Sequence, residues 1–332
     1  AVFLPFRNLG LIVVDEEHDP SYKQQDPAPR YQARDAAAML GHLHGAQVLL
    51  GSATPSLEAR WAVGQDRAVH VPLKERFGGT SLPTVELVDL RKAHKQRRME
   101  GHFSRTLLEA IGETLEAGRQ VILFQNRRGY APVHQCRTCG WVPECARCDV
   151  SLTYHKYLKD LHCHYCGYRE SEPRTCPRCG SEEVESKGIG TERIEEEIAT
   201  HFPEVKAARM DLDTTRTRTG HERIIQAFET GDVQVLVGTQ MVTKGLDFEH
   251  VGLVGILQAD RMLHHPDFRA LERTFQLLTQ VAGRAGRRED QGRVLIQTFD
   301  PEHWVFTHVV RHDAVSMAKA ELQERHLSLI HI

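Results

Sequence analysis

No apolar run among the 332 residues approaches the roughly 18 that a membrane-spanning helix requires, so a helical anchor is excluded within them. The opening AVFLPFR lacks the charged start of a secretory leader, and the expected location is cytoplasmic, with no membrane partner. Neither sign of charge dominates. At a formal net charge of −3 there is no general basic footprint, so any contact with nucleic acid has to come from local clusters. Cysteine is absent outside residues 136–179. No Gly-Lys dipeptide occurs anywhere, which removes the phosphate-gripping loop G-x-x-x-x-G-K-[ST] from these residues. Met is also missing at position 1, and the chain starts inside a fold-like pattern, so the expectation is a fragment whose N-terminal part lies upstream.

What is present is ordinary for a globular protein: 40% hydrophobic and 26% charged. Five short runs rich in Val, Ile and Leu read as buried parallel strands, at 9–15, 46–52, 119–126, 233–239 and 251–257. Helical patterns lie between them, as in FSRTLLEAIGETLEAG at 103–118, where apolar residues recur at three and four and a Gly stops the run. The expected class is α/β, with two parallel-sheet domains, the first incomplete. Expected boundaries are 1–75 for the first domain, 76–100 for a linker holding the charge run RKAHKQRR, and 101–132 with 185–300 for the second domain. An insertion is expected at 133–184 and the start of a further domain at 301–332.

In parallel sheets, ligands bind beyond the carboxyl ends of the strands. Four strands end in polar strings there: DEEHD, GSATPS, QNRRGY and GTQMVTKG. A strand closing on Asp15 and Glu16 has the form of a Walker B element, in which the first carboxylate holds Mg²⁺ and the second orients the water that attacks a γ-phosphate. The string TQVAGRAGR at 279–287 places Arg284 and Arg287 at a spacing expected to share one helical face, where an arginine can stabilise charge on a transferring phosphoryl group.

The insertion holds four C-x2-C pairs: Cys136 with Cys139, Cys145 with Cys148, Cys163 with Cys166, and Cys176 with Cys179. Each is a knuckle that turns two thiolates toward one ion, and two knuckles complete a tetrahedral zinc site. Five residues separate Cys139 from Cys145, too few for a zinc ribbon, whereas 14 separate Cys148 from Cys163. The inner knuckles therefore share one zinc and the outer knuckles a second. With eight thiolates for two ions, His155, His162 and His164 are read as solvated surface histidines.

Together, DEEHD, GSATPS, VILFQNRRGYAP, GIGTERIEEEI, GTQMVTKGLDF and QVAGRAGR, with four knuckles between the third and fourth, resemble the primosomal protein N′ (PriA) family. These are superfamily 2 DNA helicases of replication restart. The resemblance runs from about residue 1 to 326 and implies two RecA-like domains with a double-zinc insertion, ATP with Mg²⁺ as cofactors, and 3′ to 5′ unwinding of DNA. It implies Asp15 on Mg²⁺, Glu16 as general base, and Ser52 and Thr54 as the link from ATP state to domain movement. Gly245, Asp247, Gln280, Arg284 and Arg287 would face the nucleotide, with Arg287 as the arginine finger. Thr239 and Asn126 to Arg128 would lie on the DNA track, and Tyr22, Lys23, Arg30, Tyr31 and Arg34 in an aromatic-rich DNA-sensing loop. Implied partners are forked DNA with single-stranded/double-stranded junctions, other primosome proteins and single-stranded DNA-binding protein, with the chain a monomer. Without its phosphate loop the chain by itself is expected to be inactive. The alternatives are a non-enzymatic zinc module that recruits partners and a related DNA translocase. The ending LSLIHI does not resemble the family.

Overall fold

A computed structural model of the chain describes residues 2–73, 81–126, 134–148, 150–155, 160–185, 190–211, 214, 218–243, 248–265, 267–286 and 291–328. Two units emerge, Ala1–Pro72 with Ala318–Ile332, and Leu73–Met317.

In the first unit β1 (Leu11–Val14) follows the apolar run at 9–15, and after α1 (Ala33–His44) the chain returns as β2 (Gln47–Leu50), paired with β1 in parallel. Next comes α2 (Leu57–Gly64), started by the Ser56 hydroxyl, which accepts from the Ala59 N–H. Both strands were expected to be buried, and they are not. Leu11, Val13 and Leu49 are each more than half exposed, because a two-stranded parallel sheet has too few neighbours to cover both of its faces.

The second unit begins with β3 (Thr84–Asp89), α3 (Leu90–Lys95), a small hairpin of β4 (Met99–Glu100) and β5 (Phe103–Ser104), α4 (Arg105–Glu116) and β6 (Gln120–Gln125). The insertion contributes β7 (Gln135–Cys136), β8 (Thr153–His155), β9 (Asp160–His162), β10 (Arg169–Ser171) and β11 (Val184–Glu185). There follow α5 (Thr191–His201), β12 (Ala207–Met210), α6 (Arg218–Glu229), β13 (Val235–Gly238), β14 (Val251–Leu257), α7 (Asp260–Leu263), α8 (Ala270–Ala282), β15 (Arg293–Thr298) and α9 (Trp304–Val310). The last helix, α10 (Ala314–Ser328), carries the chain from the second unit back to the first.

Six of these strands form one sheet in the order β12-β13-β6-β14-β15-β3, every pair parallel. Side chains alternate across a strand, and on β6 the consequence is two cores. Val121 and Leu123 join Leu107 and Ile111 of α4 and Ile194 and Ile198 of α5 on one face. Ile122 and Phe124 join Phe275, Leu278 and Val281 of α8 and Val305, Phe306 and Val309 of α9 on the other. Burial of each such side chain stabilises the unit by about 1.5–3 kcal/mol.

Two expected boundaries differ from this architecture. Residues 76–100, expected as a linker, contain β3, which runs in register with β15 from Thr84 opposite Arg293 to Asp89 opposite Thr298, and α3, which buries Leu90 and Ala93. Residues from 301 onward, expected to open a further domain, supply α9, whose apolar face belongs to the second unit's core. The insertion is closed at its base by antiparallel pairing of β7 with β11, and β10-β9-β8 form an antiparallel sheet within it. No described helix is long and apolar enough to cross a membrane.

Candidate nucleotide edge and zinc module

The four acids after β1 divide by direction. The N–H groups of Gly51 and Glu17 bond the carbonyls of Val14 and Gly51, which binds the turn after β1 to the loop after β2. Asp15 and Glu16 point outward and are exposed, Glu16 with a left-handed φ of 49°. Asp15 Oδ1 accepts from the Glu16 N–H at 3.0 Å, and its carbonyl accepts from the Tyr22 hydroxyl at 2.6 Å. Burial together with the charges of Asp15, Asp19 and Glu16 raises the Tyr22 pKa, so the phenol stays protonated as that donor. Glu17 points inward and is 1% exposed. Its Oε1 accepts from the Ser56 N–H at 2.6 Å, and its Oε2 from the Ser56 hydroxyl at 2.9 Å and Arg34 Nη1 at 3.0 Å. Asp19 caps the turn at Pro20–Tyr22 by accepting from the Ser21 N–H.

Arg34 therefore joins an internal latch, whereas the sequence placed it in a DNA-sensing loop. Burial works against its charge, but hydrogen bonds and charge from Glu17 and Asp35 outweigh that and raise its pKa. Of the other residues assigned to that loop, Tyr31 packs edge-on against Phe3 at 4.8 Å, while Lys23 and Arg30 are exposed. His18, given no role by the sequence, lies with Nδ1 2.7 Å from Ser52 Oγ, which also accepts from the Thr54 N–H at 3.0 Å. His18 is also 3.5 Å from Glu16. The acid edge and the GSATPS loop are thus joined by two polar bridges, His18 to Ser52 and Glu17 to Ser56. Only the run of acids beside a Ser/Thr-rich loop hinted at them.

In the second unit two of the expected residues, Asn126 and Thr239, lie at carboxyl ends of strands. Asn126 follows β6 and its Oδ1 accepts from Gln240 Nε2 at 3.4 Å, while Thr239 follows β13 and is buried. Gln280 lies on α8; that helix ends at Ala282, and Arg284 stands in the turn beyond it. Gly245, Asp247, Arg127, Arg128 and Arg287 lie outside the described residues, as does the tail 329–332. Among the buried acids that sequence missed, two close strand-end turns. Asp211 accepts from the Thr191 hydroxyl at 2.5 Å and so fixes the start of α5. Asp260 accepts from the Thr298 hydroxyl at 2.6 Å and from the N–H groups of Phe299 and Asp300, burial raising its pKa.

The cysteines meet as the spacing predicts: Cys136, Cys139, Cys176 and Cys179 in one cluster, Cys145, Cys148, Cys163 and Cys166 in the other. Sulfur pairs stand 3.5–3.6 Å apart, as for Cys136 to Cys179, Cys139 to Cys176 and Cys145 to Cys166. Tetrahedral zinc with bonds of about 2.3 Å sets that edge at about 3.8 Å, so both clusters fit one zinc ion each. Cys148 is pushed up to about 12, chiefly by its hydrogen bond to Cys166, while at Cys163 burial is overcome by the N–H groups of Cys166 and Tyr165, which bring the thiol down to about 7. All eight cysteines are free of disulfides.

Residues 145–170 match the PriA DNA helicase Cys-rich region domain, and residues 185–289 match the helicase conserved C-terminal domain. The replication restart protein PriA of Bacillus subtilis is 46% identical over 98% of this chain, which covers 40% of that relative. The Synechocystis protein of the same name is 43% identical over the same share, with 40% of its length covered. Over nearly all of its length the chain is thus similar to proteins named replication restart protein PriA. It therefore spans about two fifths of the length of these relatives. Among solved structures, RecG bound to a three-way DNA junction aligns over 97% of this chain and 31% of that one, at 14% identity and a TM-score of 0.48.

The zinc module is seated on the rest of the second unit through an outer knuckle. The hydrogens of Gly140 face Phe299, so closely that a Cβ there would lie 2.4 Å from the Phe299 Cβ. Arg137 Nη2 donates to His102 Nε2 at 3.3 Å, and His102 Nδ1 stands 2.6 Å from Glu197 Oε1 on α5. Burial lowers the His102 pKa; at Glu197 burial is outweighed by hydrogen bonds from His102 and Arg193, and that carboxyl lies below its ordinary range. Neither His102 nor Phe299 carried a sequence signal.

Proposed function

We propose that the chain is the motor region of an ATP-dependent 3′ to 5′ DNA helicase that serves primosome assembly and replication restart at stalled forks. The observation that carries this reading is the pair of exposed carboxylates at the end of β1, Asp15 and Glu16, held beside GSATPS by the buried Glu17 latch in a chain similar to proteins named replication restart protein PriA. Hard oxygen donors of this kind suit Mg²⁺. Asp15 would hold the ion and Glu16 would take the proton of the attacking water. Gln280, Arg284, Gly245, Asp247 and Arg287 would face the nucleotide. Partners would be forked DNA, other primosome proteins and single-stranded DNA-binding protein, with the protein acting as a monomer in the cytoplasm.

The decisive test is Glu16→Gln in a longer protein that includes a phosphate-binding loop. ATP binding is expected to persist while DNA-stimulated hydrolysis and fork unwinding fall to background. Hydrolysis at the parent rate would favour a non-enzymatic zinc module. Residues 1–332 alone are expected to show no turnover, since they contain no Gly-Lys loop. Vigorous DNA-stimulated hydrolysis by them would refute that part.

A further inference from the structure

Three histidines of the zinc module that neither four-cysteine cluster uses come together beside β8 and β9. His155 Nε2 faces His164 Nε2 at 3.4 Å, with ring centroids 5.1 Å apart. His162 stacks on His155, its ring 4.3 Å away and tilted by 30°. The His162 Nε2 is buried and makes no hydrogen bond, although Asp160 Oδ2 lies 2.6 Å away, because the approach does not follow the N–H direction.

Two imidazole nitrogens aimed at each other have few ways to be satisfied. Both protonated, they repel; both neutral, one ring's N–H can donate to the bare nitrogen of the other, a hydrogen bond that is long at 3.4 Å. A tetrahedral zinc ion with two Zn–N bonds of about 2.0–2.1 Å holds its nitrogens about 3.3–3.4 Å apart. The observed spacing is that of two such ligands. The thiolate clusters cannot account for it, since each already has its four sulfurs. His164 is exposed, so water can complete the coordination, as a structural thiolate site does not allow.

We propose that His155 and His164 form a third, exchangeable metal site of the zinc module, a two-nitrogen chelate for a borderline divalent cation such as Zn²⁺, with His162 bracing His155 by stacking. The site differs from the two thiolate clusters in having open positions, so the bound ion can accept an outside oxygen or nitrogen donor.

Equilibrium dialysis of the full chain against Zn²⁺ with elemental analysis tests this. Two zinc ions are expected to be retained against dialysis and a third to bind reversibly. His155→Ala should weaken only the third by more than about tenfold, the size of effect seen when metal sites lose supporting groups. His155 is chosen because it is remote in sequence from every cysteine, whereas His164 lies between two of them. Histidine Hε1 resonances of His155 and His164 should shift together at the third equivalent. The proposal is overturned if binding stops at two ions, if His155→Ala leaves the third unchanged, or if the shifted resonances belong to other histidines.

Discussion

The two four-cysteine clusters are built from the same knuckle and seated in different ways. Three knuckles end in a glycine at positive φ, Gly140 at 75°, Gly167 at 73° and Gly180 at 75°, and each glycine N–H returns to the carbonyl of the knuckle's first cysteine at 2.8–3.0 Å. Two of these glycines belong to the outer cluster and one to the inner. The outer one then presses Gly140 against Phe299 and reaches His102 through Arg137. The inner one instead encloses a small core of its own, with Leu152 and Leu161 buried beside Cys145 and Cys163, and touches the second unit at Ser151 and His264, 3.5 Å apart. The same four-sulfur arrangement thus serves two ends: one cluster fastens the module to the six-stranded sheet's unit, and the other organises a small core within the module.

Removing one ligand from each cluster should expose this difference most strongly. Both Cys136→Ala and Cys163→Ala are expected to reduce the zinc content from two to one, because a three-sulfur site loses most of its affinity. Cys136→Ala should also destabilise the second unit by about 3 kcal/mol, a fall in melting temperature of roughly 6–12 °C for a unit of this size. Cys163→Ala should unfold only the β8–β10 sheet and leave the main transition within about 1 kcal/mol. Calorimetry with zinc analysis decides. Equal shifts for the two variants would mean that the module docks as one block.

A subtler division comes from the knuckle glycines. Gly140→Ala and Gly167→Ala meet the same left-handed backbone, which costs a Cβ-bearing residue about 1–2 kcal/mol. Only Gly140 also has a neighbour in the way, while nothing lies within 4 Å of a Cβ at Gly167. Gly140→Ala should therefore cost about 3 kcal/mol, the extra from overpacking against Phe299, and Gly167→Ala about 1 kcal/mol. A Phe299→Gly background, which removes the facing Cβ and Cγ, should narrow the gap and so assign the surplus to that contact.

How much of this was legible follows from the range over which each feature is fixed. The knuckles and their nesting were readable because a two-residue spacing and a 14-residue spacing already determine which sulfurs can meet. The five strands showed because both faces of a parallel sheet are covered, leaving unbroken Val, Ile and Leu; even so, the two of the first unit proved exposed. β3 escaped notice since Glu86 interrupts its run, yet that residue pairs with Arg293 of the neighbouring strand at 2.8 Å. Arg34 was misplaced because a charge beside tyrosines reads the same whether it faces DNA or a buried Glu17. His102 and Glu197 lie 95 positions apart, and no local pattern links them.

That last pair supplies the smallest test. Arg137 joins the outer knuckle to His102 by one hydrogen bond of 3.3 Å, near the long end of the range, to a group whose other nitrogen is held by Glu197. Arg137→Met retains the aliphatic stem and removes the donor, so about 1 kcal/mol of the second unit's stability should go. The effect ought to vanish in a protein already carrying His102→Phe, since the bond has then lost its acceptor; a double-mutant cycle with a coupling near zero would show instead that Arg137 acts through its other contacts. If the coupling is found while Cys163→Ala leaves it intact, the link between the zinc module and α5 runs through the outer knuckle alone.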